Sequence, residues 1–98
     1  MDKNGYVPSI VQNDMEACAI CYRGGDLARH EIFNGPFRQK SKRLGLWVAL
    51  CPQCHAEIHS DIIRRRALKR WGQKRAMDYY IWSEDEFRRE FGKSYLEE

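Results

Sequence analysis

Apolar and polar residues follow no clear period over the first 15 or so positions, which reads as an arm or a short packing segment. Leu27–Phe33 has the length and content of a short strand, and Asn34-Gly35-Pro36 ends it with a turn signal. Phe37–Arg43 is basic and reads as a loop or a short helix. The run Leu46-Trp47-Val48-Ala49-Leu50 is apolar and of strand length. From Pro52 the pattern turns helical. Pro52–His59 opens a helix with proline at a tolerated first-turn position. Ser60 or Asp61 then caps a second helix through about Ile81, carrying Ile62, Leu68, Trp71 and Tyr79 toward a core. Ser83-Glu84-Asp85-Glu86 matches the capping box of a last short helix that Gly92 closes. Two strands followed by helices predict an α+β fold with a helical C-terminal tail.

Composition adds limits to this pattern. A chain of 98 residues is a single-domain length. It divides into an arm over 1–16, a core over 17–60, and a basic helix with a short C-terminal helix over 61–98. A domain this small buries only about 60–65% of the surface its unfolded chain exposes, so its core alone is marginal. The 43% of hydrophobic and 12% of aromatic residues suit a folded domain. No apolar run approaches the roughly 18–20 residues of a membrane span, and the N-terminus lacks the basic start and apolar stretch of a secretory signal. The expectation is a cytoplasmic protein without a membrane partner.

The cysteines supply what the core lacks. They fall as Cys18-x-x-Cys21 and Cys51-x-x-Cys54, two identical knuckles. Thiolates two residues apart in a tight turn can both reach one ion at about 2.3 Å, and two such turns complete a tetrahedral shell suited to zinc. In a reducing compartment disulfides rarely persist, so structural zinc is preferred over two disulfides. The ion would contribute the missing folding energy.

Charge is unevenly spread. The formal net charge is +3, yet residues 38–75 hold eleven basic against two acidic side chains, a local charge of +9. Residues 1–37 and 76–98 carry −2 and −4. The basic block includes Arg38, Lys40, Lys42 and Arg43, then Arg64, Arg65, Arg66, Lys69, Arg70, Lys74 and Arg75. Such clustering is the footprint of a polyanion binder, although a solvated helix face would also look like this.

All three histidines lie between or just after the knuckles. His55 and His59 are four apart on the expected helix, so their imidazoles share a face and can chelate one ion. His30, in the first strand, would sit opposite that helix. Three imidazoles leave coordination positions open, as a catalytic metal requires. The plainer reading makes them surface groups, or places one of them on the zinc instead of a cysteine.

At this point the residues resemble a known family. The knuckle, the His-containing strand and Leu50-Cys51-Pro52-Gln53-Cys54-His55-Ala56-Glu57-Ile58-His59 resemble the HNH endonucleases, with their ββα-metal fold. Leu27-Ala28-Arg29-His30-Glu31-Ile32-Phe33-Asn34-Gly35 and Phe91-Gly92-Lys93-Ser94-Tyr95-Leu96 look like small HNH proteins of bacteriophages and prophages. The resemblance implies a ββα-metal core stapled by a four-cysteine zinc site and, for a phage-encoded protein, a place in the bacterial host's cytoplasm.

It further implies that His30, His55 and His59 hold a catalytic divalent cation (Mg²⁺, Mn²⁺, Ni²⁺ or Zn²⁺) and that Glu31 stands at the general-base position. In an alternative frame His30 is the base, with His55 and His59 on the metal. The base position holds Glu31 where the family has His, and the position of the middle Asn is apolar near Leu46. The implied activity is metal-dependent hydrolysis of DNA phosphodiester bonds with little sequence specificity. Arg29 and Arg38 would clamp phosphate, and Lys40, Lys42, Arg43, Arg64, Arg65, Arg66, Lys69 and Arg70 would contact the backbone. The competing reading is a zinc-binding module that binds nucleic acid or a partner without cutting. The acidic C-terminal tail would either meet a partner protein or pack on the core.

Overall fold

A computed structural model describes residues 2–97. Its centre is a two-stranded antiparallel sheet, β1 (Ala28–Glu31) against β2 (Trp47–Leu50). Ala28 faces Leu50, Arg29 faces Ala49, His30 faces Val48 and Glu31 faces Trp47. The connection holds a 3-10 turn over Gly35–Phe37 and a short helix, α1 (Arg38–Leu44). Three helices follow: α2 (Pro52–Ser60), α3 (Ile62–Tyr80) and α4 (Glu84–Phe91), with a last 3-10 turn over Tyr95–Glu97. The expected α+β architecture is present, and the loop-or-helix choice at 37–43 resolves as helix.

Both strands are shorter than the sequence suggested, and at the Phe33 and Leu46 end the reason is local. Ser41 on α1 takes over the end of the ladder. Its hydroxyl accepts from the Phe33 N–H at 3.2 Å and donates to the Phe33 carbonyl at 2.6 Å. The backbone of Phe33 therefore turns to a side chain instead of a strand. Ile32 still donates to Leu46 across the pair at 3.0 Å.

The first residues do not form a free arm. They run past the end of α1 and along the outer edge of β2, bonding to both. Val7 donates to the Lys42 carbonyl at 3.1 Å and Ile10 to the Gly45 carbonyl at 2.9 Å. The Ser9 hydroxyl donates to the Trp47 carbonyl at 2.8 Å, and the Gln12 side-chain carbonyl accepts from the Ala49 N–H at 2.8 Å. Open strand edges recruit other chains, and here short polar side chains occupy the positions a third strand would use. The approach is close at Gly45, the left-handed cap of α1, where a Cβ would stand 2.6 Å from the Pro8 carbonyl oxygen.

The core gathers between the sheet and the last two helices. Phe33, Phe87 and Phe91 are fully buried, with ring centroids of Phe33 and Phe91 4.6 Å apart and of Phe87 and Phe91 4.8 Å apart. Ile32, Leu46, Val48, Leu50 and Ile58 complete it. Helix α3 begins at an Asp61 cap whose carboxylate accepts from the Ile63 and Arg64 N–H groups, and it ends one residue before Ile81. Ile62 and Tyr79, expected in the core, are 50% and 62% exposed. At about 1.5 Å per residue α3 outruns the core it crosses, so its two ends overhang. The buried stripe lies at its middle instead, through Gly72, Gln73 and Ala76, with Leu68 and Trp71 partly covered. A Cβ on Gly72 would meet Ile32 Cγ2 at 2.9 Å, so only glycine lets α3 come this close. Buried Gln73 donates to Ser94 at 2.9 Å and accepts from the Tyr95 N–H at 2.7 Å, which ties down the chain end. Helix α4 carries the expected capping box of Ser83 and Glu86. No helix among the described residues is long and apolar enough to cross a membrane.

Candidate metal centre

Among the described residues two clusters of side chains able to ligate a metal form, and they share no residue. The first is Cys18, Cys21, Cys51 and Cys54, whose sulfur atoms all lie within 4.8 Å of one another. All four are free thiols, with Cys21 and Cys51 sulfurs 3.7 Å apart. The first knuckle is closed by Tyr22 N–H donating to the Cys18 carbonyl at 2.9 Å. The second is built by a change of element: Cys51 ends β2 and caps α2, its sulfur accepting from the Cys54 N–H at 3.4 Å.

Burial resists ionisation of Cys18, but N–H groups of Cys21, Cys51 and Ile20 outweigh it and draw its pKa down to about 6. The Cys54 N–H lowers that of Cys51, whereas burial and the crowded neighbouring thiols raise that of Cys54. Four thiols packed this tightly relieve their crowding by sharing a cation, and an all-sulfur set fits zinc. The cluster can hold a structural zinc ion.

The second cluster is His30, His55 and His59, whose ligating nitrogens also lie within 4.8 Å of one another. His30 comes from β1, and the other two from one face of α2. Ring centroids are 5.3 Å apart for His30 and His55, and 5.5 Å for His30 and His59. The Nε2 atoms of His55 and His59 are 3.1 Å apart. His30 is buried, and its pKa is pushed down to about 4, first by burial and then by the neighbouring His55 and His59. Burial and His59 also lower that of His55. Neutral imidazoles with converging lone pairs are what a divalent cation requires, and the donor set fits one. The two clusters meet in the sequence, since Cys54 and His55 are consecutive.

The histidines open onto a pocket of about 500 Å³ lined also by Arg29, Glu31, Asn34, Gly35 and Arg38. Glu31 is buried and ion-paired to Nε of Arg38. Arg29 pairs with Asp2 at 2.8 Å and stacks on the Tyr6 ring, with its guanidinium carbon 4.3 Å from the centroid.

Several residues of the basic block serve the fold. Arg64 pairs with Glu57 at 3.0 Å and Asp61 at 3.3 Å. Arg65 donates to the carbonyl of His59 at 2.7 Å, capping the end of α2. Lys40 donates to the Glu90 carbonyl at 2.7 Å. Lys42 is buried, donating to the Asn4 carbonyl at 3.3 Å with its Nζ 4.8 Å from the Tyr6 ring centroid. That burial removes Lys42 from the accessible basic surface. Lys69 is partly covered, its Nζ 5.4 Å from the Tyr95 ring. Arg43, Arg66 and Arg70 are exposed.

Sequence reasoning placed both clusters and missed what stands behind the pocket. Asp2, Tyr6 and Gln12 lie in a stretch without period, and nothing in their spacing marks them. Only the lone aromatic in a polar segment hints at Tyr6. In comparison with known proteins, no family model, no curated protein and no solved structure matches this chain.

Proposed function

We propose that this protein is a metal-dependent endonuclease of the HNH type that hydrolyses DNA phosphodiester bonds with little sequence specificity of its own. The observation that carries this reading is the convergence of His30, His55 and His59 on an open pocket lined by Arg29 and Arg38, apart from the cysteine cluster. The sulfur set offers a closed staple, whereas an all-nitrogen set of three leaves a coordination position open, as reactive metal sites do. A divalent cation held by the three histidines would supply Lewis-acid stabilisation of the phosphate and its leaving oxygen.

The chain's own groups do the rest. Successive strand residues point to opposite faces, so His30 turns toward α2 while Glu31 views the pocket from the other side. Glu31 is assigned to take the proton of the attacking water at a carboxylate oxygen, with Arg38 orienting it. Arg29 and Arg38 hold the non-bridging phosphate oxygens, and the exposed Arg66 and Arg70 of α3 contact the backbone on either side. Contacts of this kind position DNA without reading its bases.

Nicking of supercoiled plasmid with Mg²⁺, Mn²⁺ or Ni²⁺ tests the proposal. His55→Ala is expected to abolish nicking while leaving the zinc, the fold and most DNA affinity in place. Glu31→Gln is expected to lower turnover by about 10²–10⁴-fold with the histidine ion still bound. Normal nicking by Glu31→Gln together with loss of nicking in His30→Ala would move the base to His30. Nicking that survives every one of these changes would refute the enzyme and leave a zinc-dependent binding module.

A further inference from the structure

Segment 2–6 lies outside the strand–helix unit that carries the histidines, yet it backs one wall of their pocket. Strand alternation sends Arg29 and Glu31 to the face opposite His30, and Tyr6 occupies that face. Its ring stands edge-on to Trp47, with centroids 5.2 Å apart, and supports the Arg29 guanidinium. Burial and the Glu31 carboxylate raise the pKa of its hydroxyl, and the Arg38 guanidinium opposes them. Tyr6 is itself fixed. It is 8% exposed, and its N–H donates at 3.0 Å to one carboxylate oxygen of Asp2, whose other oxygen holds Arg29.

A guanidinium has five N–H donors. Arg38 directs its Nε to Glu31 and Arg29 directs one Nη to Asp2, so both keep further donors, and both side chains line the pocket. Their charges are matched locally by Asp2 and Glu31. The pair therefore supplies direction more than net attraction, which comes from the exposed arginines of α3. We infer that Tyr6 is a positioning residue that sets Arg29 and Arg38 as a two-guanidinium seat for a phosphodiester beside the three histidines. This inference rests on the nuclease reading above. A phosphate held at the correct angle reacts faster without binding more tightly.

The test uses the whole 98-residue chain loaded with zinc. Tyr6→Leu removes ring and hydroxyl, whereas Tyr6→Phe keeps the ring under Arg29 and removes only the hydroxyl. For Tyr6→Leu, kcat for plasmid nicking is expected to fall about 10–100-fold. KM, and the affinity for a labelled 20-base-pair duplex measured without added divalent cation, should stay within about twofold. Tyr6→Phe is expected to recover most of the rate, to within about threefold to tenfold of wild type. Unchanged kcat in a folded Tyr6→Leu overturns the inference. So does a joint loss of kcat, DNA affinity and zinc content in both variants, which would make Tyr6 merely structural. A wild type that does not nick removes the nuclease reading and this inference with it; a wild type that nicks beside an equally active Tyr6→Leu removes the inference alone.

Discussion

Replacing Gln12 by Ala is expected to cost this domain more than its surface position in the sequence suggests. The side chain makes three hydrogen bonds: its carbonyl accepts from Ala49 at 2.8 Å, and its amide donates to Asp14 at 2.8 Å and Ala17 at 2.7 Å. They differ in worth. The Asp14 carbonyl is exposed and water replaces its partner, so that bond contributes little. The Ala17 bond is part-buried and contributes about 1 kcal/mol. Ala49 is buried on β2, and stranding its N–H adds about 1–2 kcal/mol. The sum is roughly 2–3 kcal/mol, which for a domain of this size lowers Tm by about 10–20 °C. Thermal unfolding followed by circular dichroism, at fixed zinc, measures it. Gln53→Ala is the control, because its contacts to Arg23 and Glu57 are exposed and 3.4 Å long. That variant should stay within about 0.5 kcal/mol of wild type. Equal melting temperatures for the two variants would refute the claim that side chains close this strand edge.

Cys51→Ser is expected to lose tightly bound zinc and to unfold or melt far lower, checked by elemental analysis beside a thermal melt, since Cys51 belongs to the sulfur cluster and also caps α2. Acid is expected to weaken the protein through His30. Its folded pKa of about 4 lies below the ordinary 6.5, so the unfolded chain binds more protons between these values and stability falls as pH drops through that window. From pH 7 to pH 5 the loss through His30 should be about 2 kcal/mol, and urea titrations of His30→Asn, with no ion at the histidines, should show a slope shallower by that share. Arg66→Ala with Arg70→Ala is expected to weaken binding to all DNA sequences and to flatten the salt dependence by up to about two units in slope. Arg64→Ala with Arg65→Ala should act mainly on stability, because those side chains serve Glu57, Asp61 and the end of α2.

The sequence made the ligands legible because their constraints are local. A Cys-x-x-Cys turn or a His pair four apart on a helix needs only a few residues to fix its geometry, and both clusters formed from the positions so marked. The capping box at Ser83 was equally readable. What escaped depends on contacts between distant segments. No spacing announces that Gln12 will reach Ala49, or that Tyr6 will lie under Arg29. Apolar identity also misled at Ile62 and Tyr79, where the helix face is right but the helix is longer than the core. The reverse error concerned charge. Arg65 looks like one more cation in a basic run, and only the bend between α2 and α3 turns it onto a carbonyl.

The adjacency of Cys54 and His55 imposes an order of loading. The soft-ligand cluster fixes the first turn of α2, and the histidine face exists only once that turn exists. The contacts that shape the sulfur cluster, Tyr22 N–H to the Cys18 carbonyl and Cys54 N–H to the Cys51 sulfur, involve no histidine side chain. A newly made chain in a zinc-poor cell would therefore have no assembled histidine trio, and an ion arriving there first would find its ligands scattered. If zinc fills the cysteine cluster, its supply would act as a licence: the site proposed to cut DNA would come into being only in molecules that have already matured.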